Sequence, residues 1–181
     1  MYYNNIINTD NGGDIHMKKL KELFKIIEIE NIIFEEINTK YDSSPGIYLN
    51  APGIPPTIGI SKSILNNRCK YLSVLAEELG HHFTSLGNLT ITSRNYSEKL
   101  IKNKQEYKAK SWAANFLISD DEFVQALYDC ISTPCDMCEH FNVTDEILEY
   151  KIASIIHDEV KYYKILNNFK KREIPYEACC I

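Results

Sequence analysis

The sequence predicts an α+β domain, mostly helical, with a small three-stranded sheet early in the chain and a helical C-terminal part. Three observations predict it. Apolar residues recur at helical spacing over most of the chain, the period expected of amphipathic helices. Short β-branched and aromatic runs cluster only between residues 31 and 60. The length of 181 residues is that of one domain with room for a core, and neither an internal repeat nor a linker divides it.

Residues 1–14, rich in Asn and Gly without periodicity, read as a loose leader before a single domain over residues 15–161. Residues 17–29 place Leu20, Leu23, Phe24 and Ile27 on one helical stripe. Residues 31–37 suit a strand, as do residues 46–49. The run Ala51-Pro52-Gly53-Ile54-Pro55-Pro56 is expected to be a turn, because proline cannot donate to a ladder. Residues 57–60 complete an antiparallel or mixed sheet. Residues 67–84 turn helical, with Tyr71, Leu72, Leu75 and Leu79 as the apolar stripe, and the polar stretch 86–96 reads as a loop. Residues 98–118 form a long helix. Ser119 followed three residues later by Glu122 has capping-box spacing and starts a helix reaching about Cys130. Residues 134–141 and 144–158 are two further helices around Asn142-Val143. The tail, 162–181, is mixed in character and carries no assigned element.

Composition excludes several classes. A net charge of −5 argues against a chain that lives on nucleic acid backbone. The basic clusters Lys18-Lys19 and Lys170-Lys171-Arg172 are short enough to be solvated helix faces. No apolar run follows a basic start, and no stretch approaches the ~20 apolar residues of a membrane span. A cytoplasmic protein is expected, with its six cysteines as thiols or ligands rather than disulfides.

Chemistry concentrates at Glu77-Glu78-Leu79-Gly80-His81-His82. Side chains at i and i+4 of a helix stand one above the other, and zinc hydrolases use that spacing for two ligands. The residue after the first ligand then lies beside the metal as general base. Glu77 and His81 hold the ligand positions and Glu78 the base position. The alternative pair, Glu78 and His82, would put Leu79 where a base is needed, so the first register is preferred. His82 then sits roughly 100° around the helix from His81, as a supporting or surface group. The bland reading of the segment is a charged face with two histidines at the negative helix end. Gly80 costs about 1 kcal/mol relative to Ala in a helix, which a close backbone approach or a coming helix end would explain. A third ligand is needed, and Glu106 shares a face with Ala109, Ala113 and Phe116 on the next long helix. Against that, Glu106 could reach water or pair with Lys102 or Lys110.

The segments Leu75-Ala76-Glu77-Glu78-Leu79-Gly80-His81-His82 and Glu106-Tyr107-Lys108-Ala109-Lys110-Ser111-Trp112-Ala113 together resemble the ImmA/IrrE family of metallopeptidases. Its pattern is an H-E-L-G-H helix, then E-x-x-A-[ND]-x-[FW]-A and a hydrophobic L-L-x-P ending. Here the ending is Phe116-Leu117-Ile118-Ser119, without the Pro, and the likeness runs from about Leu20 to Ile155. The resemblance implies a zincin-like fold in which His81 and Glu106 ligate one divalent metal, zinc by family habit, and Glu78 activates water. The family's first His aligns with Glu77. Carboxylates bind zinc, but two of them with one His make a harder, more anionic site that tolerates manganese or another hard ion. The implied substrate is a helix-turn-helix transcriptional repressor, often one of a mobile element. A non-catalytic member that senses or binds a repressor is the main alternative.

Two other constellations stand apart. Cys130, Cys135, Cys138 and His140 have roughly ligand-like spacing for a structural zinc, yet beside Met137 and Phe141 the cysteines also suit packing as small hydrophobes. Cys179-Cys180 belongs to the tail. Residues 134–158 read like a helix-turn-helix, so a DNA-binding module is a third function class. Asp145, Glu146 and Glu149 would repel phosphates there, which makes direct nucleic acid binding unfavourable. Oligomeric state is not legible.

Overall fold

Burial of Leu20, Leu23 and Ile27 along one stripe sets the first helix, α1 (Gly13–Ile29), against the core in the computed structural model, which describes residues 13–39, 44–85 and 96–171. Residues 13 and 14, read as leader, are thus already helical. The rest of the leader, the loop over 86–95 and the tail from 172, with Cys179-Cys180, lie outside the described residues. Asn31 ends α1 with φ 52°: its N–H donates to Glu28 O at 3.2 Å, and that of Ile32 to Ile27 O at 2.9 Å. This left-handed cap satisfies two end carbonyls. Asn142 repeats the arrangement further on, with φ 51°.

The sheet has the order β1 (Ile33–Ile37), β3 (Ile54–Ser61), β2 (Gly46–Ala51). It is mixed: β1 runs parallel to β3, with Ile33 opposite Thr57, and β2 runs antiparallel, with Tyr48 opposite Ile58. The expectation that Pro55 and Pro56 lie in a turn is corrected. The turn is Pro52-Gly53 alone, with Gly53 at φ 81°, and both later prolines belong to β3. They are tolerated because β1 pairs only from Thr57 onward and the β2 register shifts between Leu49 and Ala51. No regular ladder therefore asks for their missing N–H groups.

Helix α2 (Arg68–Thr84), capped by Asn67 Oδ1 on Lys70 N at 3.0 Å, covers the inner face of the sheet. Tyr48, Ile58 and Ile60 join Leu72, Leu75 and Leu79 in one core. Helix α3 (Tyr96–Leu117) is the main neighbour of α2. At Gly80 an added Cβ would run into the carbonyl oxygen of Ala109, with Ala109 C and Cα at 2.9 and 3.0 Å. The glycine therefore serves a close helix crossing, not a helix end, since α2 continues to Thr84.

The C-terminal part is helical, as expected: α4 (Asp120–Tyr128), α5 (Pro134–Phe141), α6 (Asp145–Ile156) and α7 (Glu159–Lys171). The Ser119/Glu122 capping box is present. Helix α7 occupies the first ten positions of the segment read as an unstructured tail. Its charged, tyrosine-rich sequence hides an amphipathic face that packs on α4 and α6. The helix-turn-helix-like pair α5–α6 buries Ile147, Leu148 and Ile155, leaves Asp145, Glu146 and Glu149 exposed, and is pinned to α2 by Thr144 N donating to Ser73 Oγ at 3.0 Å. No described helix is long and apolar enough to cross a membrane.

Lys151 is fully buried on α6 and donates to Asp120 Oδ1 at 2.6 Å and Asn115 Oδ1 at 3.0 Å. Lys161 of α7 reaches the same two oxygens at 2.8 and 3.0 Å. One carboxylate thus serves two ammonium groups. Asp120→Asn is expected to destabilise the domain by about 1–2 kcal/mol, below the figure for a fully buried pair because Asp120 is 42% exposed. Chemical denaturation checks this; an unchanged midpoint would mean that neutral oxygens such as Asn115 Oδ1 suffice for Lys151.

Candidate metal centre

Successive turns of α2 present Glu77 and His81 on the side that meets α3, and α3 presents Glu106 to them. One donor atom from each of the three lies within 4.8 Å of the others. His81 Nε2 stands 3.3 Å from Glu106 Oε2. That is about the separation of two donors each about 2.0–2.1 Å from a tetrahedral ion. The other ring nitrogen, Nδ1, is 3.0 Å from the hydroxyl of Ser85, the residue that caps α2. Such a contact fixes the ring and leaves Nε2 for the site. Sequence reasoning missed Ser85, although its i+4 spacing from His81 was available as a signal.

The three residues fit a divalent ion on chemical grounds. Glu77, Glu78 and Glu106 act on one another in a half-buried space, where a cation relieves the repulsion between like charges. Burial pushes the Glu77 carboxyl up, with Lys110 opposing. The hydrogen bond from His81 holds Glu106 below the usual range. Glu78, 6% exposed, is raised to about 8 by burial first, then by the charges of Glu77 and Glu106. A carboxyl poised near neutral pH in such a cluster has the character of an acid–base group.

Two residues that the sequence did not single out shape this space. Gly46, at the start of β2, is buried, and a Cβ there would collide with Glu78 Oε1, with Val74 Cγ1 at 2.5 Å and Glu78 Cγ at 2.9 Å. The strand leaves that volume to the acid. Lys110, one turn after Glu106, has Nζ 3.7 Å from Glu77 Oε1 and makes a closer ion pair with Glu146 of α6. A sequence signal existed, since Lys110 occupies the position where the resembled pattern has Asn or Asp.

His82 stands apart from the donor group. Its Nδ1 is 2.9 Å from the Tyr48 hydroxyl and its Nε2 3.4 Å from Glu30 Oε2, so it ties α2 to β2 and to the end of α1. The Cys130, Cys135, Cys138 and His140 constellation is not assembled: among the described residues, Glu77, His81 and Glu106 form the sole group able to hold a metal. Cys130 is disulfide-bonded, which corrects the expectation of thiols throughout. Cys69, Cys135 and Cys138 are free, and the Cys138 thiol donates to Asp145 Oδ1 at 3.2 Å.

A family model described as Peptidase_M78, IrrE N-terminal-like domain, matches residues 31–153, a span that holds the sheet, α2, α3 and all three donors. No curated protein and no solved structure gives a match.

Proposed function

This chain belongs to the IrrE N-terminal-like peptidase family, and from that premise we propose that it is a metal-dependent endopeptidase acting on a helix-turn-helix repressor in the cytoplasm. The observation that carries the reading is the convergence of Glu77, His81 and Glu106, from two helices, around one small space beside the buried Glu78. A divalent ion there, zinc or a harder ion such as manganese, would supply Lewis acidity toward a water and a peptide carbonyl. His81 offers Nε2, oriented by Ser85, and Glu77 and Glu106 each offer a carboxylate oxygen. Glu78 takes a proton from the attacking water. As the water oxygen bonds to the carbonyl carbon and the C–N bond breaks, that proton passes to the leaving amine. The repressor substrate rests on the family resemblance and on no contact in the site.

A second reading has its own support. The Glu77–Lys110 ion pair occupies one donor with an internal cation, as a non-catalytic member that only binds a repressor could do. Metal analysis of the purified protein beside Glu77→Ala and Glu77→His separates the two. Retention in the wild type and the histidine variant, with loss of most bound metal in the alanine variant, is expected. Equal metal in all three would remove Glu77 from the donor set, and none in any would favour the non-catalytic reading.

A further inference from the structure

The donor set of Glu77, His81 and Glu106 carries two negative charges, where two histidines and one carboxylate would carry one. Lys110 restores the difference, because its ammonium lies 3.7 Å from Glu77 Oε1. It is not committed to Glu77. Helix α6 offers it Glu146 in direct ion-pair contact and, one turn later, the ring of Tyr150 with its centroid 5.9 Å away. A carboxylate and an aromatic face at i and i+4 form a ready receptacle for an ammonium group. A protonated lysine has no lone pair to give a metal, so any ion drawing on the Glu77 carboxylate meets Lys110 as a competitor.

We propose that Lys110 is the internal counter-cation of the metal centre, shared between Glu77 and Glu146 when no ion is bound and left to Glu146 alone when a divalent ion takes the Glu77 carboxylate. The affinity of the site is then set by a residue that never touches the ion. Glu146 matters as much as Lys110, because it lets the ammonium leave Glu77 without becoming unpaired. This inference rests on Glu77 being a ligand, and it makes the site less anionic than its two carboxylates suggest. It also gives α6 a part in the metal centre, although α6 supplies no donor.

Titration calorimetry of metal-stripped, full-length protein with Zn²⁺ and with Mn²⁺ tests it on four variants: Lys110→Gln, Glu146→Gln, Glu77→Gln and the double variant Glu77→Gln/Lys110→Gln. Lys110→Gln is expected to bind about tenfold more tightly than wild type, since both the competitor and its repulsion of the ion are gone. Glu146→Gln, at an exposed position, is expected to bind several-fold more weakly. In the Glu77→Gln background, removing Lys110 should change affinity less than about threefold. Melting gives a second readout. With chelator present, Lys110→Gln should melt lower than wild type because Glu77 loses its partner, yet gain more on adding metal; a mere brace would leave that gain unchanged. Binding by Lys110→Gln equal to or weaker than wild type, or Glu146→Gln binding unchanged or tighter, overturns the proposal while leaving the metal centre standing. Absence of binding in every folded variant, Lys110→Gln included, would instead remove the metal reading itself.

Discussion

Glu78→Gln is expected to lower the rate of repressor cleavage at least about a hundredfold while leaving the content of divalent ion unchanged. The amide keeps the shape of the carboxyl, so it fits the space that Gly46 leaves open, but it cannot accept the water's proton. Loss of cleavage through unfolding is separable, because the substitution should not destabilise the metal-free protein. Burial and the neighbouring carboxylates raise the Glu78 pKa from 4.5 to about 8. A carboxyl whose folded value lies above its unfolded value opposes folding increasingly as pH rises from the lower value to the higher. Metal-free wild type should therefore lose stability between about pH 4.5 and 8, and the Gln variant should lose less. Cleavage of a candidate helix-turn-helix repressor, followed by gel and by metal analysis, decides the matter. Undiminished cleavage by the Gln variant would assign the proton transfer elsewhere.

Gly80→Ala carries the largest expected structural effect. Helix propensity alone favours alanine by about 1 kcal/mol. Opposing it, the new Cβ meets the carbonyl oxygen, C and Cα of Ala109, which are backbone atoms and cannot rotate aside. Separating α2 from α3 to make room would loosen the most extensive helix pairing in the domain. A net loss of about 2 kcal/mol or more is expected, with Tm lower by at least about 4 °C. The same displacement would draw Glu106 away from His81, so the affinity for a divalent ion should fall together with Tm. A variant that melts at or above the wild-type temperature would show that the crossing has slack.

The parts of this architecture that were legible in the sequence are those governed by local periodicity. Leu72, Leu75 and Leu79 announced α2, and the i, i+4 spacing of Glu77 and His81 set the register that brings both toward Glu106. The face shared by Glu106, Ala109 and Ala113 was readable because small residues at spacings of three and four mark where another helix approaches. What stayed hidden depends on partners distant in the chain. Pro55 and Pro56 look like breakers until β1 is known to stop short of them. The choice of Lys110 between Glu77 and Glu146 is made by the packing of α6, 36 residues further on. The amphipathic face of α7 was masked by charged and tyrosine residues that cover the helix on its other sides. Cys130 is bonded in a way that spacing alone does not signal.

Gly46 has a consequence for the substitutions the protein can accept. The volume its missing side chain would fill is taken by Glu78, so positions 46 and 78 cannot enlarge independently. Shortening the acid alone would not admit a side chain at position 46, because Val74 Cγ1 would still stand 2.5 Å from the new Cβ. Glycine at 46 therefore makes room for the acid and for Val74 at once. A larger residue at 46 is accommodated only where positions 74 and 78 both give way.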